Sequence, residues 1–207
     1  MWNTFLLFFF TVASSQALAT ANKILQFDGY AFYDGERLKE QKEIKVGGLL
    51  EAKGDISSID VLFRGVPLRL VSGKLSVEKS FVKSSKGQRD GLRVLTGKAF
   101  FYVDRKNHDG QLVIKTPLCN FYPKGVDATV PTIFVINVYQ SQVDIYVHQG
   151  VIDVTIPKIK KLKLKISERQ TWEYSSGPPP PPVPFSDDRK VKKMLPVFEA
   201  LKKNISG

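Results

Sequence analysis

The sequence predicts an all-β fold, either an antiparallel β-sandwich or a β-solenoid-like structure, followed by a proline-rich linker and a short C-terminal helix. Much of the chain consists of short runs rich in Val, Ile, Phe and Tyr, separated by Gly, Pro, Asn and Asp. Such runs are typical of strands joined by turns. Five consecutive prolines then interrupt the pattern, and the residues beyond them show helical periodicity. No repeat of fixed length is visible, which argues against a propeller or a solenoid of equal units.

The first residues predict a signal peptide, Met1–Ala19. Phe5–Ala13 is an apolar run of nine residues, much shorter than the roughly 20 residues that span a bilayer. Ala17–Ala19 supplies the small residues of a cleavage site, which makes Thr20 the first mature residue. We therefore expect export to the periplasm or cell envelope. The alternatives are a buried N-terminal strand and an uncleaved anchor.

The β region, residues 20–174, begins with short runs and continues with longer ones. Asp28-Gly29 and Asp34-Gly35 predict hairpin turns, because Asp and Gly tolerate positive φ. The shorter predicted strands are Lys23–Phe27, Gly29–Tyr33, Ile59–Phe63, Val66–Val71 and Lys74–Val77. The longer predicted strands are Gly97–Val103, Gln111–Pro117, Ile133–Tyr139 and Val143–Ile156.

Charge and cysteine content limit the classes of partner and of stabilising bond. The 207 residues carry a formal net charge of +11, which favours an anionic partner through long-range attraction. Cys119 is the single cysteine, so an intrachain disulfide is excluded and stability must come from the core. Its flanking residues, Leu118 and Phe121, indicate a small buried hydrophobe rather than a reactive thiol.

A lysine-rich strand follows the longer runs, at Pro157–Ile166. Lysine and aliphatic residues alternate there, and a period of two places the lysines on one face of a strand. One interpretation is an edge strand whose lysines block unwanted pairing. The other is a basic stripe that contacts an anionic surface. The candidate contacts are Lys158, Lys160, Lys161, Lys163 and Lys165.

The C-terminal part divides into a proline-rich linker, residues 175–186, and a basic amphipathic tail, residues 187–207. Proline lacks an amide donor, so Gly177–Pro184 favours polyproline II. Asp187-Asp188 predicts the N-cap of a helix to about Asn204, which Pro196 should kink or split. The tail could bind a membrane, dock into a partner groove, or fold back onto its own sheet. The apolar stripe that would dock is Val191, Leu195, Phe198 and Leu201.

No constellation for catalysis, metal binding or cofactor binding stands out in the sequence. His108 and His148 are the two histidines, and neither lies in a pattern of metal ligands. Phosphate-binding loops and nucleophile motifs do not occur. We therefore predict a protein that is not an enzyme and carries no cofactor or metal. A nucleic-acid partner is not expected either, since no recognisable module accompanies the charge.

Several segments of the β region resemble the FecR domain family. The segments that resemble the family pattern are Leu95–Val103, Val113–Pro117, Thr132–Ile136 and Gln149–Val154. Pro131 stands where the family usually has glycine, so that turn must adopt another backbone geometry. The resemblance implies an exported all-β module that binds protein or glycan in the bacterial envelope. Family members that signal across a membrane contain a spanning helix, and this sequence has no apolar run of 20 residues.

Together, these observations predict a non-enzymatic binding module of the periplasm or cell envelope. The first functional hypothesis is binding of a protein partner in the envelope, with a contribution to envelope sensing. The alternative is attachment to an anionic glycan, another envelope polymer or a membrane surface through Lys158–Lys165 and the basic tail.

Overall fold

The computed structural model describes residues 22–78, 83–84, 87–88, 91–104, 112–124, 129–159 and 163–204. Within these ranges the protein is mostly β-sheet with one C-terminal helix, which confirms the predicted fold class. The predicted signal peptide, Met1–Ala19, lies outside the described residues, and export stays a prediction.

The described residues form fifteen strands and one helix. The first strands are β1 (Lys23–Tyr33), β2 (Glu36–Arg37), β3 (Leu49–Phe63), β4 (Val66–Glu78), β5 (Lys83–Ser84), β6 (Gly87–Gln88) and β7 (Gly91–Val103). The later elements are β8 (Val113–Lys115), β9 (Asn120–Lys124), β10 (Thr132–Tyr139), β11 (Gln142–Gln149), β12 (Val151–Thr155), β13 (Lys163–Ile166), β14 (Gln170–Tyr174), β15 (Val183–Pro184) and α1 (Asp188–Lys203).

Strand β7 is the junction at which the main sheet divides into two layers. One edge of β7 pairs with β4. On the other edge, Gly97–Val103 pairs with β10 and Gly91–Arg93 pairs with β8. The first layer continues from β10 through β11 and β14 to β15, and the second continues from β8 through β9 and β12 to β13. All pairs in this sheet are antiparallel except β7–β8, which is parallel.

The long strands β1, β3, β4 and β7 take part in both layers because each is interrupted by a bulge or a glycine. Gly73 on β4 lies against Gly97 on β7, and a Cβ on either glycine would approach the backbone of the other strand to under 3.0 Å. Gly97 also has a φ of +84°. The two glycines therefore allow a close approach of neighbouring strands where the sheet turns from one layer to the other.

Two of the predicted breaks between strands are wrong, because the residues lie inside continuous strands. Asp28-Gly29 does not close a hairpin; it forms an irregularity in β1 that shifts the register with β3. Ser72-Gly73 likewise interrupts the register within β4 and does not separate two strands. A side chain at position 73 would clash with the backbone of β7, so only glycine fits there. The Ser72-Gly73 pair therefore marks a bend within β4 and not a turn between two strands. Asp34-Gly35 does form the predicted turn, between β1 and β2.

One hydrophobic core lies between the two layers. It combines Phe101, Phe134 and Trp172 of the first layer with Leu92 and Phe121 of the second. The rings of Phe101 and Phe134 are stacked, with centroids 4.9 Å apart. Cys119 belongs to the same core and is fully buried, which confirms its predicted role as a small hydrophobe. Burial raises the pKa of its thiol to about 12.

Helix α1 packs on the outer face of the first layer. Its N-cap is Asp187, whose side chain accepts a hydrogen bond from the Lys190 amide. This bond is the main reason that the pKa of Asp187 lies below its ordinary value. The helix is continuous through Pro196, so of the two predicted effects of this proline, a kink or a split, the split does not occur. Packing of Val191 before the proline and Phe198 after it holds both turns against the sheet.

The proline-rich segment runs along the edge of the first layer. Val183–Pro184 pairs with β14, and the indole nitrogen of Trp172 donates to the Pro180 carbonyl oxygen at 2.9 Å. The Phe185 amide donates to the Arg169 carbonyl oxygen, also at 2.9 Å. Proline is tolerated at a sheet edge, where its missing donor leaves no partner strand unsatisfied. The predicted linker is therefore attached to the sheet through these bonds.

Candidate binding surface

The outer face of the second layer carries a row of charged side chains, which we call the basic face. Because residues in register share a face of a sheet, the strand pairings determine its members. Its basic members among the described residues are Arg37, Lys53, Lys74, Arg93, Lys115, Lys124, Lys163 and Lys165. Its acidic members are Glu51, Glu78 and Asp153. The basic face therefore has more cations than carboxylates.

The first charge cluster on this face surrounds Glu51 on β3. Its carboxylate lies 2.9 Å from the amine of Lys74 on β4 and 3.6 Å from the amine of Lys53. The hydrogen bond from Lys74 is the largest cause that lowers the pKa of Glu51. The side chain of Glu51 is 17% exposed, against 54% for Lys53 and 46% for Lys74. The two cations consequently shield the carboxylate and present the positive charge to solvent.

The second cluster surrounds Glu78 at the end of β4. The Arg93 guanidinium of β7 forms an ion pair with Glu78, and one of its nitrogens, Nη2, donates to Glu78 Oε2 at 3.3 Å. The amine of Lys115 on β8 lies 3.9 Å from the same carboxylate. Burial lowers the pKa of Lys115, while the charge of Glu78 acts in the opposite direction. Two cations again meet one carboxylate.

The third cluster surrounds Asp153 on β12. Lys124 of β9 forms an ion pair with the Asp153 carboxylate. Lys165 of β13 lies directly opposite Asp153 in the strand register, and its side chain is exposed. Lys163 is exposed on the same face, opposite Thr155. This cluster therefore ends the sheet with a surplus of positive charge.

Strand β13, which carries the predicted lysine stripe, is an edge strand in the described part of the chain. It pairs with β12, and Lys163 and Lys165 are exposed while Ile166 is buried. The predicted alternation is therefore present. Both interpretations of it, protection of an edge and contact with an anionic surface, fit this position.

Of the other predicted lysine contacts, Lys158 is the one that the structure describes. Lys158 lies in the turn after β12, beside an apolar cleft of about 610 Å³ that Leu118, Ile159 and Tyr174 also line. Lys160 and Lys161 lie outside the described residues. The structure thus brings Lys163 and Lys165 together with basic residues of six other strands.

Aromatic side chains lie at the opposite end of the basic face, on β1. The Arg37 guanidinium lies 5.0 Å from the ring centroid of Tyr30, and the Lys53 amine lies 4.3 Å from that of Phe32. Cations above aromatic rings are held by the ring quadrupole. These contacts position Arg37 and Lys53 without neutralising them, since an aromatic ring carries no net charge.

The outer face of the first layer, which we call the apolar face, has a different composition. It presents Phe100, Tyr102, Ile133, Val135 and Tyr146 to the helix and to the segment before it. Phe198 makes an edge contact with Phe100, with centroids 5.7 Å apart. Of the predicted docking residues, Val191, Phe198 and Leu201 are buried in this contact, whereas Leu195 is 37% exposed. The tail therefore folds back onto its own sheet, one of the three predicted destinations.

His148 lies at the margin of this helix–sheet contact. Its ring stacks on Phe198 with centroids 5.6 Å apart, and its Nδ1 atom lies 3.3 Å from the Tyr146 hydroxyl. Burial lowers the pKa of His148, and the nearby Arg169 acts in the same direction. His108 lies outside the described residues. Among the residues that the structure describes, no group of three or more metal-ligating side chains converges.

A membrane-spanning helix is not found in the described part of the chain either; α1 is too short and too polar for one.

Sequence reasoning found two cations of the basic face and missed six. The missed residues are Arg37, Lys53, Lys74, Arg93, Lys115 and Lys124. A signal for some of them exists: in Glu51–Lys53 and Lys74–Glu78, charged or polar residues alternate with apolar ones, as on a half-buried strand. Their common face, however, depends on register across strands that are distant in sequence.

Comparison with known proteins finds structural similarities, two of which are to proposed anti-sigma factors. No protein-family model matches the sequence, and no curated protein sequence matches it at a significant level. The chain is similar to a solved structure of a proposed anti-sigma factor from Parabacteroides distasonis, with a TM-score of 0.49 and 15% identity, over 71% of this chain and 64% of that one. A second proposed anti-sigma factor from the same organism gives a TM-score of 0.39 and 16% identity, over 70% of this chain and 58% of that one. The chain thus spans less than two thirds of either solved protein, and the FecR domain stays a resemblance of sequence.

Proposed function

We propose that this protein is a non-enzymatic binding module of the bacterial cell envelope that attaches to an anionic partner through its basic face. The observation that carries the proposal is that cations outnumber carboxylates in each cluster, by two to one around Glu51 and around Glu78 and by three to one around Asp153. Each carboxylate is satisfied within its cluster, and the cations around Glu51 and Asp153 are exposed enough to contact a ligand. Location in the envelope follows from the predicted signal peptide.

The difference in what covers the apolar face and the basic face supports this choice of binding face. The helix already covers the apolar face, which is the surface that a tight hydrophobic interface with another protein would use. The basic face has no such cover among the described residues, and several of its cations are about half exposed. An excess of charge of one sign raises the local concentration of oppositely charged ligands and speeds their association.

Salt dependence tests the proposal directly. We expect the full-length protein to sediment with isolated bacterial envelopes at low salt and to be released at about 1 M salt, where the Debye length is about 3 Å. A triple variant, Lys53→Gln, Lys163→Gln and Lys165→Gln, should reduce cosedimentation at least about tenfold, because counterion release scales with the number of cations contacted. Each carboxylate keeps a close cation in this variant, so folding should be preserved.

The matched control removes the same charge from the other side of the molecule. Lys192→Gln, Lys193→Gln and Lys203→Gln alter three exposed lysines of α1. This control should cosediment like the wild type. Equal losses in the two triple variants would show that net charge alone matters and would contradict the proposed face.

The FecR-like segments favour a second candidate, binding of an envelope protein. An interface dominated by apolar contacts would respond little to salt and to the Lys→Gln changes. Crosslinking in the source cell followed by mass spectrometry would then capture a protein that the triple variant also captures.

A further inference from the structure

We infer that the ligand of the basic face is a linear polyanion that lies across the strands of the second layer and contacts all three charge clusters at once. This inference rests on the proposed function and specifies the class of ligand. The chemistry required is a carboxylate or phosphate group repeated along an extended chain.

The arrangement of the clusters gives the direction in which such a chain would lie. The strand order β2–β1–β3–β4–β7–β8–β9–β12–β13 contains eight neighbouring pairs. At about 4.8 Å per pair, the basic face extends roughly 38 Å across the strands. Arg37 lies on the first strand of this series, Arg93 lies near the middle, and Lys163 and Lys165 lie on the last. A ligand that contacts every cluster must therefore be extended and run across the strands.

The composition of each cluster argues against a site for one small anion. The cations around Glu51 and Asp153 are about half exposed or more, whereas beside Glu78 Arg93 is 37% exposed and Lys115 is 15% exposed. One exposed ion pair contributes too little binding free energy to hold a monovalent anion. A chain that reaches a second and third cluster gains these contributions together, since each later contact is intramolecular.

The surface also differs from those that bind membranes or folded proteins by apolar contact. The exposed large hydrophobic residues of the described ranges are scattered over separate elements, and they are Tyr30, Val46, Ile56, Tyr139, Val183 and Leu195. Insertion into a bilayer uses a clustered apolar face, and a protein interface has an apolar centre depleted in charge. Along the basic face, charged residues instead occupy the centre as well as both ends.

The length of the ligand provides the test. Oligoglutamates of four and twelve residues extend about 14 Å and about 40 Å respectively. For the full-length protein at low salt, we expect the twelve-residue peptide to bind at least tenfold more tightly than the four-residue peptide at equal glutamate concentration. Inorganic polyphosphate of matched length should show the same dependence, and orthophosphate should not bind measurably.

Two double variants locate the ends of the site. Arg37→Gln with Lys53→Gln removes charge at the β2–β3 end, and Lys163→Gln with Lys165→Gln removes it at the β13 end. Each double variant should weaken binding of the twelve-residue peptide by a similar factor of at least about three. An effect confined to one end would indicate a single local site and overturn the inference.

The remaining outcomes separate this inference from the proposed function. If both peptides bind equally per glutamate, anionic binding stands and the extended site does not. If vesicles rich in phosphatidylglycerol bind while oligoglutamate and polyphosphate do not, the ligand is a membrane surface and the inference is wrong. If envelopes, peptides and polyphosphate all fail to bind at low salt, the proposed function fails as well.

Discussion

The two outer faces of this sheet contrast in what covers them. On the apolar face, Phe100, Tyr146 and their neighbours lie beneath the chain's own helix. On the basic face, ion pairs neutralise Glu51, Glu78 and Asp153 within the sheet surface. The first face gains its stability from buried apolar area, which is non-directional and insensitive to salt. The second contributes little stability, because exposed ion pairs are weak.

This difference indicates how the molecule separates stability from binding. The C-terminal segment completes the fold by covering a surface that would otherwise expose Phe100, Tyr102 and Tyr146. The basic face contributes little to folding, and its long side chains remain accessible. Changes to the apolar face should therefore act on unfolding, whereas changes to the basic face should act on ligand affinity.

The largest expected effect comes from Gly97, since both faces depend on the bend of β7. Gly97→Ala would place a Cβ under 3.0 Å from Gly73 Cα and from the Ser72 carbonyl oxygen, at a φ of +84°. We expect a loss of at least about 3 kcal/mol in the free energy of unfolding, from left-handed strain together with overpacking. Urea unfolding measures it, and a drop in soluble yield would report a complete failure to fold.

Gly35→Ala is the matched control for this variant. Gly35 has nearly the same φ, +83°, but no atom lies within 4 Å of the position of an added Cβ. Gly35→Ala should lower the free energy of unfolding by only about 1–2 kcal/mol, which is the cost of the left-handed conformation. Equal losses at Gly35 and Gly97 would contradict the role of the close approach between β4 and β7.

A smaller effect is expected at the helix contact with the apolar face. Phe198 is 3% exposed and contacts both Phe100 and His148. Phe198→Ala should therefore lower the free energy of unfolding by about 3 kcal/mol. Leu195→Ala, one helical turn earlier and 37% exposed, should cost less than about 1 kcal/mol. Urea unfolding followed by fluorescence of the buried Trp172 compares the two.

Binding measurements on the same pair sharpen the contrast between the faces. Because Phe198 lies on the opposite side of the sheet from the charge clusters, folded Phe198→Ala should retain the wild-type affinity for the twelve-residue oligoglutamate. A large loss of affinity in this folded variant would show that the two faces are coupled.

Local patterns predicted the elements whose signals lie within one stretch of sequence. The period of two over Pro157–Ile166 predicted lysines on one face of a strand, which the structure shows at Lys163–Ile166. The helical spacing of the C-terminal tail predicted one apolar stripe, of which Val191, Phe198 and Leu201 are buried and Leu195 is exposed. In both cases a single element determines which side chains share a face. The predictions therefore needed no knowledge of tertiary contacts.

The long strands and the basic face could not be predicted this way, because both depend on pairing between distant residues. Asp28-Gly29 and Ser72-Gly73 have the composition of turns, yet pairing with β3 and β7 keeps the chain extended there. Similarly, Lys53 on β3 and Lys165 on β13 belong to one surface only because the five strands between β3 and β13 pair in register. Their separation in sequence gives no sign of this.

The smallest expected effect on stability comes from the basic face itself, at the ion pair between Lys74 and Glu51. Since the pKa of Glu51 is lowered in the folded protein, mainly by the hydrogen bond from Lys74, the pair stabilises the fold above the ordinary carboxyl pKa. That contribution should be lost as the pH falls through the lowered value. At neutral pH and low salt, Lys74→Gln should reduce the free energy of unfolding by less than about 1 kcal/mol. The difference from wild type should shrink in about 1 M salt, where the Debye length is about 3 Å, and in acid, where Glu51 is protonated.

Lys163→Gln is the control, since Lys163 has no carboxylate within ion-pair distance among the described residues and lies opposite Thr155. A loss at Lys74 that persisted in both acid and high salt would mean that its aliphatic stem, and not its charge, stabilises the basic face.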